Sequence, residues 1–391
     1  MLQTQGNNLK AFYFQNIFIV VLAMLALVSS LLLMTKHQAA WTENVLEATF
    51  MSYALVCYWW AKRDVRFSGI LLIRWLSFLY VVGSYIYAIH YNNANVFDFL
   101  KIYKSYIYLF FLTFLTDKRL MTFAGANRLI TILFSLFFLK YILMIVTGRS
   151  FRPIVYMENN FELMFLYALY LIRYTVTKKN YLFLLGLVGL ITVLSLSRSS
   201  LLMYSVLALF VIYDSFKKTR VFIIPGAAIL LGVVAYYIFT QRSASLEQVD
   251  RYRFMLVWWS NVNNWNFWQW MVGAERITPL SPQSCSYMNY FKMMFSYKED
   301  GTCYSVVLHS FIFRVLFDHG ILGFASLMYS VYLLLVRSRV RKDVTIVFLT
   351  IVLINGLSVS SFNNLFFAIS MVFLMTTNTE YELEEAKEEG D

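Results

Sequence analysis

The chain has 391 residues, of which 60% are hydrophobic and only 14% charged, and it carries a formal net charge of +11. Soluble domains carry about 25% charged residues, so this composition excludes an ordinary soluble fold. The basic surplus lies in short clusters at the ends of apolar runs, the pattern of membrane topology rather than of a nucleic-acid-binding stripe.

A membrane-crossing helix takes about 20 apolar residues. Runs of that kind fall at 13–34, 44–61, 67–89, 100–116, 126–147, 160–177, 181–197, 199–216, 221–239, 310–336, 344–361 and 364–377. They predict an all-α, polytopic membrane protein of about 12 transmembrane helices in one integral domain spanning 1–391. The first run is too long for a cleavable signal and is expected to remain as an anchor. Lys62, Arg63 and Arg66, then Lys118, Arg119 and Arg128, then Lys178 and Lys179, then Lys217, Lys218 and Arg220, and finally Arg337, Arg339, Arg341 and Lys342 occupy alternate gaps. Those gaps are expected to be cytoplasmic, with both termini inside and one large outer loop, 240–309, between the ninth and tenth spans. The acidic stretch 378–391 reads as a solvated cytoplasmic tail.

Positive charge on the outer side runs against the topology bias and needs a reason. Lys101 and Lys104 open the fourth span, and Arg149 and Arg152 follow the fifth. Arg198 sits in a tight hairpin flanked by Ser197, Ser199 and Ser200, hydroxyls expected to line a pocket around a diphosphate; the alternative is a side chain that snorkels to lipid headgroups. The outer loop holds Arg242, Arg251, Arg253, Arg276, Lys292, Lys298 and His309, with five tryptophans from Trp258 to Trp270. Guanidinium forks match phosphate oxygens and aromatic faces stack on sugars, so an anionic lipid-linked sugar suits this loop. A plain loop folded on its own aromatics is the competing reading.

His309 stands where the loop re-enters the membrane, and its imidazole is suited to accept a proton from a sugar hydroxyl. Arg314 and Asp318, one turn apart inside the tenth span, are expected to pair and offset each other's burial. In Phe317-Asp318-His319-Gly320-Ile321-Leu322-Gly323, two glycines three apart predict a bend or a close helix contact. Cys57 lies in an apolar run. Cys285 and Cys303 share the loop, where an oxidising compartment would permit a bond, and their spacing leaves that pairing open. Only His309 accompanies them, so zinc is not expected.

Several of these residues together resemble a known family. Ser197-Arg198-Ser199 in a hairpin, Arg251-Tyr252-Arg253 early in a long loop, His309-Ser310, and Asp318-His319-Gly320-Ile321-Leu322-Gly323 nine residues past the histidine are similar to the superfamily of O-antigen polymerases (Wzy-type) and O-antigen ligases. Glu158-Asn159-Asn160-Phe161-Glu162 is similar to an asparagine-containing motif there, and the likeness covers about 149–365. It implies a GT-C-like, metal-independent inverting glycosyltransferase without cofactor, acting on undecaprenyl-diphosphate-linked oligosaccharides at the periplasmic face of a bacterial inner membrane. It further implies that His309, Arg251 and Arg253 are catalytic, and that Arg198, Arg149, Arg152, Arg314 and Asn160 bind diphosphate or sugar. Members commonly carry Glu where this chain has Asp318 followed by His319. A polysaccharide polymerase, with a chain-length regulator and a flippase as partners, is the expectation. A ligase passing glycan to lipid A core is the nearest alternative, and a flippase for the same lipid is the alternative from another class.

Overall fold

The computed structural model describes residues 2–34, 40–60, 69–118, 120–146, 154–156, 158–177, 180–216 and 250–377, with isolated positions between 217 and 249. The expected run 221–239 therefore lies largely outside the described residues, as do Arg149, Arg152, Arg242 and the acidic tail. Every other expected apolar run coincides with a helix. In chain order these are α1 (Leu2–Met34), α2 (Ala40–Trp60), α3 (Gly69–His90), α4 (Val96–Leu112), α5 (Phe123–Val146), α6 (Asn159–Val176), α7 (Tyr181–Leu194) and α8 (Arg198–Ser215). The loop region carries α9 (Asp250–Val262), α10 (Phe267–Val272) and α11 (Pro282–Tyr287), and the chain continues through α12 (Phe311–Arg337), α13 (Lys342–Gly356) and α14 (Leu365–Thr376).

Tyr13–Leu32, Gly69–His90, Phe123–Leu143 and Phe311–Arg337 are long and apolar enough to cross a membrane. A helix that is apolar all round belongs in an interior. All residues of α14, and nearly all of α6, are buried. These two helices form the centre, where Phe165 lies 6.0 Å from Phe366 and 5.6 Å from Phe373 between ring centroids. At the start of α6 the Glu162 carboxylate accepts the backbone N–H groups of Val155 and Tyr156, which gives a buried anion two donors beside a positive helix end.

The bend expected from the paired glycines is present. Gly320, at φ 66° and ψ −172°, interrupts α12 in a conformation that a side chain would not tolerate. Gly273 ends α10 at φ 85° and meets it backbone to backbone: a Cβ on Gly320 would lie 2.4 Å from the Met271 carbonyl oxygen, and one on Gly273 2.6 Å from the His319 nitrogen. The Ala274 amide donates to the Phe317 carbonyl at 2.7 Å, so the loop supplies a partner where the helix is broken.

The loop from α9 onward has its own small core around Phe254, Val257, Leu280, Met288, Val307 and Leu308. Cys285 and Cys303 are bonded within it, which closes the alternative that the spacing left open. Three of the five tryptophans fasten this core to α12 and to one another. Trp258 stacks on Phe313 at 5.1 Å, Trp265 lies 5.5 Å from Phe317, and Trp270 meets both indoles edge-on. Only Trp259 and Trp268, 55% and 70% exposed, are open to stack on a sugar. The same loop covers the α3–α4 turn, where buried Asp98 accepts from the Ser296 hydroxyl at 2.6 Å and from the Tyr297 amide.

Two measurements test this architecture. Gly320→Ala should destabilise the purified protein by about 1–3 kcal/mol, whereas Gly83→Ala, in α3 with open space around it, should be neutral or slightly stabilising in the same thermal unfolding assay. Cys285→Ser should lower stability by about 3 kcal/mol, the loop-closure value for a ring of this size, and added reductant should then have no further effect on the melting curve.

Candidate functional site

His309 ends the short 3-10 turn Ser305–Leu308, with a left-handed φ of 51°. A non-glycine residue in that region is strained and persists only where its surroundings hold it. Here the imidazole lies 5.6 Å from the Phe254 ring and 5.2 Å from the Phe291 ring, and the His309 carbonyl accepts the Ser360 hydroxyl at 3.0 Å. His309 as a whole is half-buried. Phe254 belongs to α9, whose first turn carries Arg251 and Arg253, both half-buried. Residues three apart share a helix face, so Arg251 lies on the same side of α9 as the phenylalanine that touches His309. The structure thus brings the predicted imidazole together with the helix bearing both predicted arginines.

Two residues of α12 hold this turn. The Ser305 hydroxyl donates to the Asp318 carboxylate at 2.5 Å. Arg314, buried, donates to the Ser360 hydroxyl and to the Lys101 carbonyl. The expected Arg314–Asp318 ion pair is therefore not formed. Each side chain is drawn to a neighbour brought in by tertiary packing, one to the segment beside His309 and the other to the turn that leads into it. Arg314 reaches the site through Ser360, in a position that supports His309.

Arg198 is the first residue of α8 and is half-buried, but the serines around it do not line an open pocket. Ser197 caps the helix by accepting the Ser200 amide, as a helix end at this position requires. The hydroxyls of Ser197, Ser199 and Ser200, all buried, converge on the Asn160 side-chain oxygen. Asn160 donates in turn to Glu158 at 3.3 Å, and burial pushes the Glu158 carboxyl up to about 7 against the lowering effect of that hydrogen bond. The asparagine motif and the Ser-Arg-Ser motif, 35 residues and more apart in sequence, are one buried polar network. Its serines are turned away from any ligand because hydroxyls inside an apolar bundle need partners.

Lys101 and Lys104 are also accounted for. Lys104 is held between Glu43 and Glu47, and the Lys101 ammonium lies 4.3 Å over the Tyr297 ring. Among the described residues no three His, Cys, Asp or Glu side chains are grouped to hold a metal ion.

A second cluster escaped sequence reasoning. His319, next to the break in α12, is buried with its Nδ1 2.7 Å from the Tyr80 hydroxyl and its ring 4.9 Å and 4.8 Å from Tyr103 and Tyr106. The Arg276 guanidinium covers Tyr80 at 5.0 Å and donates to the Asp318 carbonyl at 3.3 Å. Tyr80, Tyr106, His319 and Arg276 border a cavity of about 380 Å3 lined by α3, α4, α12 and Val272 of α10. Its sequence signals were a histidine inside an apolar run and tyrosines at 103 and 106, three apart on α4; nothing in either spacing points to Arg276. Comparison with protein-family models, with curated proteins and with solved structures finds no match for this chain.

Proposed function

We propose that the chain is a polysaccharide polymerase that transfers a growing glycan from undecaprenyl diphosphate to the non-reducing end of an incoming lipid-linked repeat unit. The observation that carries the proposal is the packing of the His309 ring on Phe254, which sets the imidazole beside the helix that bears Arg251 and Arg253. On this reading the chain crosses a bacterial inner membrane twelve times with both termini cytoplasmic, and residues 240–309 face the periplasm. The buried Cys285–Cys303 bond supports that sidedness, because disulfides persist in oxidising compartments.

The chemistry asks little covalent work of the protein. Diphosphate is a good leaving group, so the site must neutralise the charge that develops on it and orient the attacking hydroxyl. Arg251 and Arg253 supply the positive charge, and guanidinium suits phosphate oxygens better than ammonium does. His309 accepts the proton of the acceptor hydroxyl as the new glycosidic bond forms and the bond to the diphosphate oxygen breaks. A base must be fixed in place to be effective, and His309 is fixed by its backbone: Ser360 and Arg314 hold its carbonyl side, while Asp318 holds the turn before it. Asp318 then acts as a positioning residue, a role that an Asp can fill where relatives of this type carry Glu.

In a strain lacking the chromosomal gene, Arg251→Ala and Arg253→Ala should each abolish long polymer and leave single repeat units on the lipid A core. His309→Ala should lower the rate of polymerisation with purified protein by about 100-fold or more, the usual contribution of a positioned base. Wild-type chain lengths in all three variants would refute the assignment. A deletion strain that shows no repeat unit at all on the core would convert it to a ligase.

A further inference from the structure

Helix α10 is apolar on the side that faces away from the protein. Phe267, Trp268 and Val272 are 65%, 70% and 46% exposed, and Trp268 and Val272, four apart, share one helix face. The other side is used inward, where Trp270 packs edge-on against Trp258 and Trp265. Phe267 and Trp268 meet each other edge-on at 5.5 Å. Polar residues frame the pair: Asn263, Asn264 and Asn266 are exposed before it, the Asn266–Gln269 capping box closes the helix start, and Glu275 is exposed after it. An exposed apolar patch with a polar rim marks a contact surface.

The position of α10 along α12 decides what that surface meets. The Gly273–Gly320 contact holds the end of α10 on the break in α12, backbone to backbone. Beyond the break α12 continues to Arg337, with Arg339 and Arg341 close behind. That stretch is roughly 25 Å at the helical rise, close to the hydrocarbon thickness of about 30 Å, so its two ends match the two hydrocarbon boundaries. The break, and α10 with it, stands at the boundary opposite those cations. Ile321 and Leu322, the first residues past the break, are exposed on a helix long and apolar enough to cross a membrane. Val272 lines the same cavity as Leu322, so the exposed apolar surface of α12 runs on through Val272 to α10.

We infer that α10 rests in the headgroup boundary of the bilayer, with Phe267, Trp268 and Val272 on lipid. An indole suits that depth, because its apolar body enters the chains while its N–H donates to a headgroup. Phe267 has no polar atom with which to hold a sugar, and Val272 and Leu322 are aliphatic, which sets this face apart from Trp259 on α9. Three side chains also fall short of the roughly 800 Å2 per partner of a stable protein interface. The inference requires a bilayer but neither a glycan nor His309, and it therefore stands or falls apart from the polymerase reading.

Spin labelling of the full chain in phosphatidylcholine–phosphatidylglycerol nanodiscs tests it. Labels enter through Phe267→Cys and Trp268→Cys, each with Cys57→Ser and with the Cys285–Cys303 bond intact. Leu79→Cys, exposed on a membrane-crossing helix, and Glu299→Cys, exposed in a charged turn, are the lipid and water references. The rate of collision with oxygen relative to that with a water-soluble nickel complex should be at least threefold higher at positions 267 and 268 than at 299, approaching the value at 79. A comparison without any label uses lipids brominated near the headgroup end of the chain: the emission of Trp268, taken as wild type minus Trp268→Phe, should be quenched. Ratios at 267 and 268 equal to that at 299, or an unquenched Trp268 emission, would overturn the inference. So would low collision with both reagents together with spin–spin broadening, which would seat a second copy of the chain on this face.

Discussion

The contact between Gly320 and Gly273 is the constraint on which the packing of the region 250–309 against α12 depends. A helix in an apolar bundle is normally continuous, because every unpaired N–H or C=O in that setting is costly. Here α12 is interrupted and the Ala274 amide satisfies the Phe317 carbonyl, so the loop acts as part of the helix's own hydrogen-bond ladder. Backbones can approach this closely only where neither residue has a side chain. Once that contact is made, Trp258, Trp265 and Trp270 have α12 to pack against, and the small disulfide-closed core of the loop has a fixed base.

The same break orients the two polar clusters. Asp318, just before it, reaches up to Ser305 and so holds the turn that ends in His309. His319, the next residue, turns instead into the cage of Tyr80, Tyr103 and Tyr106. One interruption of one helix thus supplies a positioning group to the proposed catalytic surface and a wall to the lateral cavity. A continuous helix would also place adjacent side chains on different faces, but it would not leave the Phe317 carbonyl to tie the loop down between them.

The apolar skeleton was legible in the sequence because membrane crossing imposes length and composition on each segment, and the described helices follow the apolar runs closely. The bend was legible as well, since Gly320 and Gly323 are the kind of residues that a break and a close contact require. Side-chain partnerships were not. Four-residue spacing suggested Arg314 with Asp318, yet a pair that neighbours in sequence can form is only one option, and Ser360, Lys101 and Ser305 offered partners that spacing cannot reveal. The serines at Arg198 read as a pocket for the same reason: hydroxyls flanking a cation look alike whether they face a ligand or, as here, a buried Asn160. Arg276 was hidden among loop cations because its distinction lies in what surrounds it.

Charge placement in this chain follows from what burial demands of each cation. Lys104 between two carboxylates and Arg314 between a hydroxyl and a carbonyl are neutralised or solvated from within, and they brace the bundle. Arg251 and Arg253 on α9 and Arg276 at the cavity rim are half-buried. Cations in an apolar bundle are thus better sorted by the partners that hold them than by their number.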